Sequence, residues 1–236
     1  MQERYVKNLG TFIHEDNQLD LLTKKIAIIG CGGNGQYVAE FLARLGVQGL
    51  SIWDGDKFEV SNLNRQPMST EDLIGCLKTI ATAQRLNKVN SEIEYHFYHR
   101  YFTLQDYDIL KQHDLIVFCA DNSQAIVEVR QALHNAILEG IPVVDAGIHD
   151  KGGYISIVTQ DGIAAFDEQT HFWEKGLVSP PISQPAYLCA IIAGMTVSEI
   201  QKWFAQENSP AINQRIHYDI RANQIHRFDY TYGQLY

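Results

Sequence analysis

Four glycines within six residues, Gly30, Gly32, Gly33 and Gly35, follow directly on the apolar run Ile26-Ala27-Ile28-Ile29. A short β-branched run of that kind is a strand buried on both faces, and here it ends in a turn too tight for side chains. Beyond the turn, Tyr37, Val38, Phe41, Leu42 and Leu45 recur at spacings of three and four, which predicts a helix starting near Asn34. Its unpaired N–H groups point back at the turn and make an anion site. Glycine lets the backbone turn sharply and approach phosphate oxygens without a Cβ in the way. The G-x-G-x-x-G spacing alone fits several nucleotides.

A second apolar strand, Leu50 to Trp53, ends at Asp54, where nicotinamide enzymes of this fold keep the acid that holds the ribose hydroxyls. By spacing alone the site could take NAD. The polar run that follows, Asp56, Ser61, Asn62, Asn64, Arg65 and Gln66, with Lys78 beyond it, argues for a triphosphate instead. Arg65 can hold phosphate oxygens in a planar fork and Lys78 acts as a point charge, so the pair can neutralise departing pyrophosphate. A third strand, Asp114 to Ala120, ends at Asp121. Strand ends on one edge of a parallel sheet converge on the ligand crevice, and an acid facing triphosphate there suits Mg²⁺. Asp121 also suits the cap of a helix beginning near Ser123, a role compatible with the first.

The coarse order is strand 26–29, helix 35–45, strand 50–53, helix 77–89, strand 93–98, helix 103–110, strand 114–119, helix 123–138 and strand 142–145. Such alternation predicts a Rossmann-like α/β fold, a parallel sheet with helices on both faces. After Asp145 the pattern changes to a strand at 154–159, an irregular stretch at 166–184 marked by Pro180, Pro181 and Pro185, a helix over 186–205, and a hairpin of 215–220 and 224–229 about Ala222-Asn223. The C-terminal part is therefore expected to be antiparallel, and residues 1–236 to form one domain.

These motifs together resemble the ubiquitin-activating-enzyme-like adenylyltransferases of the ThiF, MoeB and HesA kind, over roughly Arg4 to Phe228. The resemblance rests on the glycine turn Gly30 to Gly35, the D-x-D of Asp54 and Asp56, the S-N-L-N-R-Q run from Ser61, and Asp121. It implies that the first acid holds the ATP ribose, that Asn62, Arg65 and Lys78 surround the phosphates, and that Asp121 binds magnesium. It implies a division into an N-terminal arm (1–23), a nucleotide-binding half (24–150) and a half for substrate docking and dimerisation (151–236). In the family an R-Y-x-R run sends its second arginine into the neighbouring subunit's site; Arg4-Tyr5-Val6-Lys7 resembles that run with lysine in its place, so Lys7, or failing it Arg4, is the expected contact in a homodimer. The implied partner is a small ubiquitin-like or sulfur-carrier protein with a C-terminal Gly-Gly.

Two family features are missing. The cysteines are Cys31, Cys76, Cys119 and Cys189, with no C-x-x-C pair, so no structural zinc is expected. No cysteine lies between Phe166 and Gln184, where some members keep a reactive thiol. Cys119 and Cys189 read as packing; Cys31, in the turn, and Cys76, near the helix of Lys78, are weak nucleophile candidates. Dispersed unpaired cysteines fit a reducing cytoplasm.

Composition excludes other classes. A net charge of −9 with dispersed Lys and Arg argues against a nucleic-acid surface. The apolar stretch Ala186 to Val197 is shorter than the roughly 20 residues a bilayer needs, so no membrane span is expected, and the N-terminus lacks a signal-peptide pattern. Nine scattered histidines offer no catalytic zinc spacing; His96, His99 and His149 read as bystanders, His149 being nearest a strand end.

The expected chemistry is carboxylate activation by ATP, with an acyl-adenylate as product. A carboxylate is ionised at neutral pH and needs no general base, so catalysis rests on positioning and charge neutralisation by Arg65, Lys78 and Mg²⁺ on Asp121. Adenylation of a small-molecule carboxylate and a non-catalytic nucleotide-binding scaffold are the alternatives.

Overall fold

The computed structural model of the protein describes residues 2–10, 13–120, 126–175 and 183–229. A 3-10 turn at Glu3–Asn8 leads into α1 (Glu15–Leu21), β1 (Lys25–Ile29), α2 (Gly33–Leu45), β2 (Gly49–Trp53), α3 (Lys78–Val89), β3 (Glu94–Tyr98), α4 (Tyr107–Leu110), β4 (Leu115–Phe118) and α5 (Ile126–Leu138). Then come β5 (Val143–His149), β6 (Gly152–Val158), α6 (Ile163–Glu174), α7 (Ala186–Phe204), β7 (Gln214–Asp219) and β8 (Gln224–Asp229).

The eight strands among the described residues join in one sheet of order β3-β2-β1-β4-β5-β6-β7-β8. The pairs from β3 to β5 are parallel, and β5, β6, β7 and β8 are successively antiparallel. The order reverses between β1 and β4, so the carboxyl ends of these strands open the crevice where α/β sheets take ligands. Successive residues of β1 serve opposite layers. Ile26 and Ile28 pack with Val38, Leu42, Leu188 and Ile192 of α2 and α7, while Ala27 and Ile29 pack with Leu110, Val129, Leu133 and Phe166 on the other side. Burial on both faces is why the run is continuously apolar.

Three expectations need correction. The stretch from 166, expected to be irregular, is helical as far as Glu174. Ala165 and Phe166 are buried against α5, and the Arg130 guanidinium lies 4.0 Å above the Phe166 ring. That tertiary contact outweighs the weak local pattern of a stretch marked by prolines; Pro180 and Pro181 themselves lie outside the described residues. Helix 103–110 is a 3-10 turn, Leu104–Asp106, followed by the single α-turn α4. Strand 142–145 runs on to His149 and turns straight into β6.

The N-terminal arm packs on the rest of the chain through Tyr5, Gln18 and Leu21. Tyr5 is buried with its ring against Gly46, and its hydroxyl accepts a hydrogen bond from Asn90 Nδ2 at 2.9 Å. No helix among the described residues is long and apolar enough to cross a membrane.

Candidate functional site

The glycine turn has two positions that only glycine can fill. Gly30 adopts φ +101°, and a Cβ there would lie 2.8–2.9 Å from the Cys119-Ala120 peptide, where the chain leaves β4. A Cβ on Gly35 would come within 2.1 Å of the Gly30 carbonyl, so α2 can start this close to β1 only without one. The turn is further braced from β2. Asp54 Oδ2 accepts the Cys31 backbone N–H at 2.7 Å, and its Oδ1 accepts that of Asp56 at 2.8 Å. Gln36 closes the other side, donating to the Cys31 carbonyl at 3.0 Å and accepting from the Met68 N–H at 3.0 Å.

Asp54 is buried, and loss of water raises its carboxyl above the ordinary aspartate range in spite of the Lys78 charge. Asp56, two residues on, is the more open acid, its side chain 45 % exposed against 8 % for that of Lys78. The Lys78 ammonium donates to Asp56 Oδ2 at 2.8 Å, and the Lys78 backbone N–H, at the start of α3, donates to the Asp56 carbonyl at 3.0 Å. The Tyr101 hydroxyl donates to the other oxygen of Asp56. Partial burial pushes the Asp56 carboxyl up, but the hydrogen bonds from Lys78 and Tyr101 outweigh it and hold the group below its usual range. The same bond pushes the Tyr101 phenol up to about 12.

Arg65 crosses the start of α2: its Cγ lies 3.3 Å from where a Gly33 Cβ would stand. Nη1 donates to the Ser61 carbonyl and to Asn64 Oδ1, both at 2.8 Å, and Nε has no partner among the described residues. Asn62 is buried and shapes the loop, its Oδ1 accepting the Glu59 N–H at 3.1 Å. Thus Gly30, Gly32, Gly33, Gly35, Asp54, Asp56, Arg65 and Lys78 gather around the turn between β1 and α2, and Asn62 shapes the loop that carries Arg65, accepting the Arg65 N–H at its carbonyl at 3.1 Å. Asp121 lies outside the described residues.

Arg4 and Lys7 are not part of that cluster. Arg4 donates to Asn90 Oδ1 and lies 4.0 Å from Glu92, beyond the end of α3 opposite Lys78, about 18 Å away along a helix of this length. Lys7 is exposed.

Three neighbours of the site carried no sequence signal. Tyr101 reaches Asp56 only because the chain after β3 folds back over it. Cys189 of α7 would touch a Gly33 Cβ at 3.0 Å, so a cysteine read as packing also walls the turn. Asn34 stands between Gly33 and Gly35, at a position of the G-x-G-x-x-G spacing that fixes no residue type. Burial, with Asp54 adding to it, pushes the Cys31 thiol up to about 12; burial raises Cys119 and brings Cys189 to about 11. Cys76 is exposed. His99 Nδ1 pairs with Thr79 Oγ1 at 2.7 Å and His96 with Glu94 at 2.9 Å, while His149 stacks on His217 at 4.1 Å. Among the described residues no group of three His, Cys, Asp or Glu side chains is arranged to hold a metal ion.

The chain matches the ThiF family profile over residues 5–233. The adenylyltransferase and sulfurtransferase MOCS3 of Xenopus laevis is 37% identical over 142 residues, 59% of this chain and 31% of that protein. The molybdopterin-synthase adenylyltransferase of Escherichia coli K12 is 28% identical over 216 residues, covering 89% of this chain and 84% of that one. Among solved structures, E. coli MccB with ATP superposes with a TM-score of 0.78 at 22% identity, over 97% of this chain and 72% of that chain. PaaA superposes at 0.73 with 23% identity, over 90% and 66%. These two share the fold. The chain spans about a third of the length of the MOCS3 relatives.

Proposed function

We propose, from the premise that this chain belongs to the ThiF family, that it is an ATP-dependent adenylyltransferase that activates a carboxylate as an acyl-adenylate with release of pyrophosphate. The observation that carries this reading is the pairing of a glycine turn with two cations, Arg65 lying across Gly33 and Lys78 held beside Asp56. A dinucleotide site asks for one acid at the end of β2, whereas cations beside the turn answer a triphosphate.

ATP sits with its phosphates on the turn and its ribose on the Asp54–Asp56 side. The substrate carboxylate, already ionised, attacks the α-phosphorus in line, and the bond to pyrophosphate breaks. Lys78 and Arg65 take up charge on the departing pyrophosphate, in a setting where burial of Lys78 makes its charge count for more than in water. Asp54 keeps the turn in shape through the Cys31 N–H. Mg²⁺ would neutralise phosphate charge here. Such an ion asks for one or two carboxylates besides phosphate oxygens and water. With Asp54 and Asp56 engaged as described, we assign it to Asp121, the acid that follows Ala120 in the sequence, which would supply the one carboxylate that such an ion asks for.

The carboxylate belongs, in this reading, to the C-terminal Gly-Gly of a small ubiquitin-like or sulfur-carrier protein. The names of the relatives, an adenylyltransferase and sulfurtransferase and a molybdopterin-synthase adenylyltransferase, support it. Because β6 is paired on both edges, the tail lies across its face instead of extending it as a further strand. The protein acts as a homodimer in the cytoplasm, with residues 151–236 serving docking and dimerisation. Incubating a Gly-Gly carrier with ATP and the protein tests this: intact-mass spectrometry should find AMP added to the carrier, and none on a carrier whose terminal carboxylate is amidated. AMP found equally on both would contradict it.

A further inference from the structure

We propose that the side-chain oxygen of Asn34 accepts a hydrogen bond from the amide N–H adjoining the substrate's terminal carboxylate, which makes a peptidyl acid, rather than a simple acid, the class this site selects. This rests on the adenylation reading above and adds a residue and a selectivity to it.

Asn34 is the second residue of α2 and is 7% exposed. Its Nδ2 has a weak contact at 3.5 Å with Cys119 Sγ, and its Oδ1 is buried with no partner among the described residues. Around it, Asp54 and Gln36 have their oxygens committed to backbone N–H groups. Leaving an acceptor buried and unpaired costs free energy, so an orphan inside a ligand crevice marks a group held for a ligand.

The position says which part of the ligand. The side chain leans toward Cys119, past the end of β4, while the acids that anchor the ribose stand across the turn at the end of β2. It thus faces the side from which the antiparallel half, beginning at β5, brings the carboxylate. An amide oxygen repels carboxylate and phosphate oxygens and needs a donor. In a peptide C-terminus the nearest donor to the carboxylate is the N–H of the last residue, one carbon away. A thiol is a poor partner and the terminal torsion of Asn is soft, so the oxygen can turn to meet it. An acid without that N–H leaves the oxygen unpaired, and sites built on a hydrogen bond discriminate strongly against ligands that lack it.

The test uses two non-hydrolysable acyl-adenylate mimics, N-acetylglycyl-sulfamoyl adenosine and 4-oxopentanoyl-sulfamoyl adenosine, which differ only in N–H against CH₂. Calorimetry on the unmutated protein should find the first bound about tenfold or more tightly. Asn34→Leu, checked for fold by circular dichroism, should weaken the first mimic to the level of the second and leave the second nearly unchanged. Equal binding of both by the unmutated protein overturns the inference and leaves adenylation standing. Binding of neither overturns both. A loss in Asn34→Leu that is the same for both mimics and is relieved by added magnesium overturns it in favour of a metal ligand.

Discussion

Lys78 Nζ lies 2.8 Å from Asp56 Oδ2, and the Tyr101 hydroxyl holds the other oxygen of the same carboxylate. The ammonium is therefore held beside the carboxylate near the start of α3, and in the proposed reaction a phosphate would replace Asp56 at the ammonium while Tyr101 keeps its hold on the carboxylate.

The first prediction follows. Lys78→Met keeps the buried stem and removes the charge, so it should slow adenylate formation by about 10²–10³-fold while weakening AMP binding much less. Arg65→Met should behave alike. Single-turnover rates set against AMP titrations check this; equal losses in both would make the two residues binding groups only.

Acid stability should depend on the His149–His217 stack. Burial, then the neighbouring His149, lowers His217 to about 4, and burial lowers His149 as well. An unfolded histidine takes its proton near pH 6.5, so between there and about 4 the unfolded chain binds protons that the fold refuses. Stability should thus fall as pH drops through that window and level off below it. Urea unfolding across the window should show a shallower fall for His217→Gln; an unchanged slope would remove the stack from the account.

Thiol chemistry separates the cysteines. Cys76 is exposed, while burial raises the other three thiols. Brief alkylation of the folded protein should label Cys76 alone, and a variant with all four replaced by Ser or Ala should still form adenylate if it folds. A thioester trapped on any of them would contradict this.

The composite site is the fourth prediction. With Arg4 engaged at Asn90 and Glu92, exposed Lys7 is the residue left to reach a partner. Mixing an inactive Lys7→Ala chain with an inactive Asp121→Ala chain should restore activity through heterodimers holding one intact site. A monomer in solution, or folded heterodimers that stay inactive, would count against it.

Much of this was legible in the sequence because it is periodic or punctuated. The alternation that places β1 to β5, and the four glycines that leave no room for a Cβ at Gly35, are local signals. Helix α6 was not legible, since it depends on Arg130, 1% exposed, donating to Thr170 and to the Phe166 carbonyl across the fold. The folding of Glu3–Asn8 onto Asn90, the role of Tyr101 and the orphaned oxygen of Asn34 depend likewise on contacts distant in sequence, which no period announces.

The central claim is that the protein joins AMP to a carboxylate, and ATP–pyrophosphate exchange reads that step whatever becomes of the adenylate. Labelled pyrophosphate should enter ATP when magnesium and a Gly-Gly carrier are both present, far more slowly when a small acid replaces the carrier, and not at all without magnesium or with Asp121→Ala. Exchange absent with every acid, in protein that binds ATP, would contradict the account and leave a nucleotide-binding scaffold in its place.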